Sequence, residues 1–423
     1  MENKLQGKKL LVLGDKHITS YDIVAYARSK GVYTIVTDYL PIDKSLAKQI
    51  ADEYWNISTA EVDTLVQLAK ENHIDGVFAG VPDFNIYRAM EICERLGLPF
   101  YATREQLEIT TDKSLFKKTC RKYNVPVAED YSDYYPENCD KIAYPVIVKP
   151  EDSHSARGIS ICNNYEELKI ASEFALSNSQ KKGNVVIEQF IKGDQIAVRY
   201  SIADGIYKIS SVTDFYLDIP KNGEPPIPYL LFCPSKYIDR YIRECHTNVS
   251  EMFKELGVKN GFFWFQIMVN DSGFYFVDPA YRFSGGASYK FTKSFNGISH
   301  LEMMVNYALT GEMGDDIKLE NPYFKKIGYQ FNIISSGGVI DKIIGYEEAK
   351  KYPFVIDSDK QYDIGDCIPK RSGIHSIVSR FYLAADTIKE MQKAIHDIQG
   401  TIKVLDKYGK NILIEPFDVS KLK

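Results

Sequence analysis

The chain has 423 residues, which at roughly 100–200 residues per domain is enough for about two to four domains. Its 52 lysines and arginines nearly balance its 57 aspartates and glutamates, so the formal net charge is -5. Such a balance argues against a nucleic-acid-binding protein, which would carry a basic surplus or a basic stripe. The 44% hydrophobic and 26% charged composition is typical of globular proteins and excludes fibrous and low-complexity classes.

The N-terminus and the cysteines favour a cytoplasmic protein. The short apolar run at 10–13 lacks the length of a secretory signal, and no stretch reaches the ~18 apolar residues of a membrane helix. The seven cysteines are scattered without a C-x-x-C pair, and the seven histidines are equally dispersed. We therefore expect reduced thiols, no zinc site, no membrane partner and no nucleic-acid partner.

Residues 1–110 predict a Rossmann-like domain, because apolar strands alternate with helical stretches as in an open parallel sheet. The predicted strands cover 8–13, 33–36, 76–79 and 98–101, and the predicted helices cover 20–30, 64–72 and 82–96. The loop at 14–17 is not a G-x-G-x-x-G sequence, so a dinucleotide site is not indicated. Open sheets bind ligands at the carboxyl ends of their strands, so we expect the loops after the strands, including the loop at 80–83, to line a ligand crevice.

Residues 111–315 predict an α+β domain of short strands separated by turn residues, with a lid subdomain at about 120–190. Its predicted strands cover 146–149, 159–162, 184–189, 196–203, 207–212, 261–269 and 274–277. Residues 316–423 predict a smaller α+β cap domain. It has predicted strands at 328–333, 374–381 and 401–406 and a predicted helix at 385–399.

The hairpin predicted at 261–278 brings two oxygen-bearing side chains together. A three-residue loop at 271–273 would pair Asn270 with Phe274, and counting back along both strands sets Gln266 opposite Asp278. The neighbours expected on that face are Trp264, Met268, Phe274 and Phe276. A carboxylate and an amide oxygen on an apolar face need a partner. Either Mg²⁺ or hydrogen bonds to each other and to solvent would satisfy them.

Two further segments place cations next to turns. Arg282 either holds a carboxylate or phosphate bidentately or is a solvated loop residue. Lys149 ends an apolar strand, and the following loop at 151–158 contains small hydroxyl residues, an arginine and a glycine. This loop either folds over phosphates or is a flexible surface hairpin. The lysine pair at 117–118 is expected on a solvated face.

Four segments, taken in order, resemble motifs of the ATP-grasp superfamily, and the resemblance covers essentially the whole chain. They are Thr111-Asp112-Lys113 with Asn124-Val125-Pro126-Val127; Val148-Lys149-Pro150 with Ser155-Ala156-Arg157-Gly158; Val186-Ile187-Glu188-Gln189-Phe190-Ile191-Lys192-Gly193; and Phe265-Gln266 with Asp278-Pro279-Ala280-Tyr281-Arg282. The resemblance is of the carboxylate–amine ligase type and includes the carbamoyl-phosphate-synthase-like and L-amino acid ligase branches.

The resemblance implies an ATP-grasp fold, with an N-terminal Rossmann-like domain and a small C-terminal α+β domain. It also implies ATP and Mg²⁺, or Mn²⁺ in its place, as cofactors. The nucleotide contacts it implies fall on Lys113, Lys149, Ser153, His154, Ser155, Gly158, Glu188, Gln189, Ile191 and Gln195. The implied metal ligands are Gln266 and Asp278, and the implied catalytic residues are Arg282, Lys149 and Arg157.

This chain departs from the family pattern at several site positions. Gln266 stands where many members have an acid, Asp278 is one methylene shorter than the usual Glu, and Ala280 replaces an Asn ligand. Gln195 replaces a frequent ribose-binding Glu. The leading hypothesis is an ADP-forming enzyme that joins small or sugar-linked carboxylates to amines, with a homodimer as one option. The alternatives are a non-catalytic or weakly active ATP-binding subunit and an enzyme related to biotin carboxylase or carbamoyl phosphate synthase.

Overall fold

The computed structural model describes residues 4–150, 158–179, 185–219, 226–314, 316–370 and 372–422. Within these ranges, the longest helices are too short and too polar to cross a lipid bilayer.

The N-terminal part is a parallel sheet in the order β3-β2-β1-β4. Its strands are β1 (Lys9–Leu13), β2 (Tyr33–Thr37), β3 (Glu53–Trp55) and β4 (Gly76–Ala79). The helices of this part are α1 (Ile18–Ser29), α2 (Leu46–Ile50), α3 (Val62–Glu71), α4 (Asp83–Leu96), α5 (Arg104–Thr111) and α6 (Lys113–Lys122). The apolar side chains at 10–13 are fully buried, as expected for a parallel strand covered by helices.

Two predictions for the N-terminal part were wrong. Residues 98–101 form no strand; instead the hydroxyls of Tyr101 and Tyr281 each donate to the other's carbonyl oxygen, at 3.0 and 2.9 Å. This segment therefore docks onto the hairpin of the next domain. Strand β3 was not predicted, because its three residues lie at the sheet edge, at least partly exposed, and form no apolar run.

The predicted lid region contains a small antiparallel sheet in the order β6-β5-β7. Its elements are β5 (Val146–Pro150), β6 (Ser160–Cys162), α7 (Tyr165–Ser177) and β7 (Val185–Gln189). Val146 and Val148 are fully buried in the core that includes α7. Because side chains alternate along a strand, Lys149 lies on the other face of the sheet, and it shares that face with Glu188 of β7.

The largest sheet has eight strands in the order β12-β11-β8-β9-β10-β13-β18-β16. The strands from the predicted central domain are β8 (Asp194–Ala203), β9 (Ile206–Asp218), β10 (Ile227–Cys233), β11 (Gly261–Asn270) and β12 (Gly273–Ala280). Strand β10 was not predicted, because Pro228 lies at a register shift within it and weakens the sequence pattern of a strand. The helices of this part are α8 (Ile238–Tyr241), α9 (Thr247–Glu255), α10 (Tyr289–Asn296) and α11 (His300–Thr310).

The predicted C-terminal segment continues this same sheet. It contributes β13 (Ile327–Ile334), β14 (Gly338–Val339), β15 (Lys342–Ile344), α12 (Tyr346–Ala349), β16 (Val355–Lys360), β17 (Cys367–Ile368), β18 (Ile377–Ala385), α13 (Ile388–Thr401) and β19 (Lys403–Leu405). Strand β13 pairs with β10, and β18 and β16 follow it. A separate apolar cluster beneath α13 packs on these strands. The proposed boundary at 316 thus falls in a connection between two hydrogen-bonded parts of one sheet.

One apolar core joins the N-terminal sheet to β8, β11 and β12. Helix α11 lies against β4 so closely that a Cβ at Gly76 would be 2.3 Å from the carbonyl oxygen of Ala308. A glycine is therefore required at this crossing. The contact directs the loops that follow β1 and β4 toward the β11–β12 hairpin.

Candidate active site

The β11–β12 hairpin sets Gln266 directly opposite Asp278, as predicted, but by a different path. Its turn has two residues instead of three, because Asn270 pairs with Gly273. A β-bulge at Val277 then shifts the register by one residue and brings Asp278 opposite Gln266. Two errors of one residue, in the turn and in the bulge, therefore cancelled in the sequence prediction.

The bulge also divides the aromatic residues between two faces. Trp264 and Met268 lie two residues before and after Gln266, on the same partly exposed face, as predicted. The prediction was wrong for Phe274 and Phe276, which are buried on the opposite face. These two residues precede the bulge, so the period of two that links them to Asp278 is broken.

The charges of three cations predicted to bind the nucleotide or the intermediate act on the Asp278 carboxylate. Burial raises the pKa of Asp278, whereas the positive charges of Lys113, Arg282 and Lys149 oppose that rise, in this order. These residues come from α6, from the segment after β12 and from β5. The fold thus assembles on one carboxylate the charges that are separated in the sequence.

The donor set at this face fits Mg²⁺. A carboxylate and an amide oxygen are hard ligands, and Mg²⁺ completes its shell with phosphate oxygens and water. Among the described residues there is no group of three or more His, Cys, Asp or Glu suited to a metal. Ala280 lies opposite Trp264, two residues along the same face from Asp278, and offers no oxygen. Gln266 and Asp278 are therefore the two protein ligands expected from this part of the hairpin face.

Arg282 is held from the N-terminal sheet. Its Nε and Nη2 donate to the two carboxylate oxygens of Asp83 at 2.5 and 3.0 Å, and its Nη1 donates to the carbonyl of Phe283 at 3.0 Å. Asp83 is the first residue of α4 and the last residue of the 80–83 loop that was predicted to line a crevice. The bidentate pair fixes the guanidinium plane of Arg282 while leaving its side chain 18% exposed.

The expected adenine-binding residue Glu188 is bound by two lysines. Lys149 Nζ donates to Glu188 Oε2 at 2.9 Å, and Lys117 forms an ion pair with Oε1. Burial works to raise the pKa of Glu188, but the charges of Lys149 and Lys117 outweigh it, and the pKa is lowered. The prediction that Lys117 is solvated was wrong: its side chain is 4% exposed, whereas Lys118 is exposed.

Three further residues predicted to contact the nucleotide follow Glu188 along the chain. Gln189 ends β7, and Ile191 is buried just beyond it. Gln195 in β8 lies opposite Met268 in β11, which places it on the same face as Gln266. The fold therefore brings Gln195 to the face predicted to bind the nucleotide and metal, while its contact with ribose remains a prediction.

Most of the predicted lid loop lies outside the described residues. This applies to the lid positions Ser153, His154, Ser155 and Arg157. Gly158 is described and has φ +71°, and a Cβ there would lie 2.9 Å from Pro150 Cγ. Backbone conformation and close packing both require glycine at this position, independently of any phosphate contact.

The loop after β1, which was expected to line the crevice together with the other loops at the strand ends, also reaches the site. His17 Nδ1 accepts from the amide of Thr19, so its Nε2 carries the proton and donates to the carbonyl of Gly285 at 2.9 Å. Burial, followed by the charge of Arg380, lowers the pKa of His17 to about 4. The imidazole is therefore neutral at pH 7, and the charges of Arg380, Lys290 and Arg282 all oppose its protonation.

Two further charged residues, Asp15 and Lys290, lie in the same crevice as His17. Asp15 Oδ1 accepts from the amide of His17 at 2.7 Å and from the hydroxyl of Ser20 at 2.9 Å, while Oδ2 is buried without a hydrogen-bond partner among the described residues. Burial raises the pKa of Asp15 to about 6. Lys290 forms ion pairs with Asp22 at 3.0 Å and with a carboxylate of β16. The sequence indicated this crevice only through the position of the loop, which follows the carboxyl end of the parallel strand β1.

The eight-stranded sheet and the small lid sheet together form an ATP-grasp fold, so the predicted fold is confirmed. A family model described as the D-ala D-ala ligase C-terminus matches residues 120–219. The formate-dependent phosphoribosylglycinamide formyltransferase of Prochlorococcus marinus is 26% identical over 210 residues, which make up 47% of this chain and 53% of that protein. The chain thus spans about half the length of the curated relatives it matches.

Two solved structures resemble the whole chain. The L-amino acid ligase from Bacillus licheniformis has a TM-score of 0.77 at 17% identity and covers 95% of this chain and 99% of its own. The biotin carboxylase domain of the Hydrogenobacter thermophilus 2-oxoglutarate carboxylase, a dimer in complex with MgADP and bicarbonate, has a TM-score of 0.73 at 18% identity. It covers 94% of this chain and 90% of its own. At such identities these structures establish the fold alone.

Proposed function

We propose that the protein is an ATP- and Mg²⁺-dependent ligase that joins a carboxylate to an amine through an acyl phosphate and releases ADP and phosphate. The observation that carries the proposal is the pairing of Gln266 with Asp278 on one hairpin face, where the charges of Lys113, Arg282 and Lys149 act on the Asp278 carboxylate. Transfer of a phosphoryl group to a carboxylate brings two anions together, so a site for this reaction must concentrate positive charge.

Each residue has a role that its position supports. Lys113 and Lys149 would bind phosphate oxygens, and the backbone of Gln189 and Ile191 would contact the adenine. Gln266 and Asp278 would hold Mg²⁺, which when bound neutralises charge on the β- and γ-phosphates.

Arg282 would orient the substrate carboxylate and stabilise the charge of the acyl phosphate, because Asp83 already fixes its guanidinium plane. The lid residues Ser153, His154, Ser155 and Arg157 would exclude water from this intermediate.

We place the amine substrate in the crevice between the β1 loop and the Gly285 segment. His17 bridges these two segments, and its partner Gly285 follows Arg282, where the acyl phosphate would form, by three residues. The crevice presents carboxylates as well as cations, so it can bind a substrate amine as its ammonium form. Small or sugar-linked carboxylates, a homodimer and a cytoplasmic location remain predictions.

The similar proteins support ATP-dependent chemistry on small molecules. Two alternative functions each rest on one specific observation. The similarity to a biotin carboxylase domain that binds MgADP and bicarbonate favours a carboxylase-like enzyme as the second candidate. Ala280, which removes one oxygen from the metal face, favours a weakly active or non-catalytic nucleotide-binding subunit as the third. All three candidates require binding of MgATP.

The test is ADP release by the purified chain with MgATP and a panel of carboxylates, amines and amino acids, each tested alone and in pairs. We expect ADP and phosphate in equal amounts only when a carboxylate and an amine are both present. An ¹⁸O-labelled carboxylate should transfer one labelled oxygen to the released phosphate, because the acyl phosphate passes through that oxygen. ADP release with bicarbonate alone would favour the carboxylase-like alternative. Binding of ATP without ADP release on any pair would contradict catalysis.

A further inference from the structure

Glu188 has two buried cations on one carboxylate. The carboxylate is 7% exposed, and the side chains of Lys117 and Lys149 are 4% and 13% exposed. The three residues come from β7, α6 and β5, so the cluster joins the lid sheet to the helix that carries Lys113. The cluster has a net positive charge, although a single lysine would be enough to neutralise Glu188.

The two lysines differ in what else they face. Lys149 donates to Glu188 at 2.9 Å, and its charge also acts on Asp278 of the hairpin face predicted to bind the metal. Lys117 is more deeply buried, and Glu188 is the first of the charges that support its ionised form. The Lys149 ammonium therefore has two possible partners, Glu188 and the phosphates of the proposed nucleotide. Lys117 has only Glu188 as its partner in this cluster.

We propose that Lys117 is a positioning residue that keeps Glu188 neutralised while Lys149 turns from this carboxylate to the nucleotide phosphates. A buried carboxylate that loses its only partner is strongly destabilised, so without Lys117 the charge of Glu188 would hold Lys149 back. With Lys117 present, Lys149 can leave at little cost. This inference rests on the proposed nucleotide site.

The test is direct binding of MgATP, measured by isothermal titration calorimetry, so that it does not depend on finding the substrates. Lys117→Met removes the charge and keeps the length of the side chain. We expect the Kd for MgATP to rise at least 10-fold. Lys117→Arg should restore most of the affinity because it retains a cation. Lys118→Met, an exposed lysine on the same helix, is the matched control and should bind like the wild type.

The double variant Lys117→Met/Glu188→Gln separates positioning from simple packing. Without the negative charge at 188, Lys149 is no longer held, so the affinity should recover relative to Lys117→Met alone. If Lys117→Met does not fold, the comparison of this double variant with Glu188→Gln alone gives the same answer, because Lys117 should then contribute nothing. A wild-type affinity in Lys117→Met, or no recovery in the double variant, would overturn the inference. A wild type that binds no MgATP would instead refute the proposed function.

Discussion

Gln266 and Asp278 face each other across the β11–β12 hairpin only because Val277 bulges out of the ladder. In a regular ladder that continued from the pairing of Ile267 with Phe276, Gln266 would meet Val277, and Asp278 would lie on the opposite face. The bulge thus moves a carboxylate onto the face that carries Gln195 and Met268. Bulges next to active sites commonly redirect a side chain in this way.

Substitution of Asp278 tests the metal face. Asp278→Asn keeps the size and an oxygen but removes the charge, and we expect ADP release to fall by about 100-fold or more, as when one key transition-state contact is removed. Because burial raises the pKa of Asp278, removing its charge should not lower the free energy of unfolding. Coupled ADP assays measure the rate of ADP release, and urea unfolding at pH 7.5 measures the free energy of unfolding.

Asp271→Asn, at the exposed turn of the same hairpin, is the control and should leave ADP release unchanged. If Asp278→Asn retains the wild-type rate over a range of Mg²⁺ concentrations, the metal assignment is wrong.

Substitution of Ala280 tests the missing oxygen. Ala280→Asn places an amide two residues from Asp278, opposite the indole of Trp264, whose buried Nε1 has no hydrogen-bond partner among the described residues. We expect half-maximal activity at a several-fold lower Mg²⁺ concentration, with a loss of about 1–3 kcal/mol in stability from overpacking. A Mg²⁺ titration of ADP release and urea unfolding check the two effects, and an unchanged Mg²⁺ requirement would show that Ala280 lies outside the metal shell.

Substitution of Arg282 tests the role of its planar fork. Arg282→Lys keeps the charge but loses the bidentate contact with Asp83, so we expect kcat to fall by about 100-fold while the Kd for MgATP stays within a factor of two. Arg95→Lys is the matched control, since Arg95 forms an exposed pair with Asp63 elsewhere in the N-terminal domain. Equal losses in nucleotide affinity and turnover would instead assign Arg282 to ATP binding.

The pH dependence of stability tests the burial of Asp15. Its folded pKa of about 6 lies above the ordinary value of 3.8, so its ionisation destabilises the folded state increasingly between these pH values and fully above pH 6. We expect Asp15→Asn to raise the free energy of unfolding by about 2–3 kcal/mol at pH 8, and the gain to vanish near pH 3.5. Urea unfolding across this range measures it. A gain that does not change with pH would contradict the assignment.

His17 shifts stability in the opposite sense. Its folded pKa of about 4 lies below 6.5, so the stability that it contributes is present above pH 6.5 and is lost as pH falls through 4. The effects of Asp15 and His17 therefore offset each other between about pH 4 and 6. Removing the Asp15 carboxyl should expose the His17 loss as a steeper fall in stability on acidification.

The sequence predicted many element positions well, for physical reasons that are local. Strand β4 and the helix after it were predicted within one residue, since apolar runs and Gly or Pro boundaries define them. The failures came from tertiary contacts: residues 98–101 dock on Tyr281, and β10 forms despite Pro228 because β9 and β13 flank it. Secondary-structure propensity contains no information about contacts with distant parts of the chain.

By itself the sequence determined the ATP-grasp resemblance, the order of its motifs and the residue types of the site, because these depend on local spacing. The tertiary structure alone decided that Lys117 joins Glu188, that Asp83 holds Arg282 and that His17 reaches Gly285. These pairs are separated by 71, 199 and 268 residues. Their geometry depends on how the sheets pack and on one bulge in the register, and neither leaves a periodic signal in the chain.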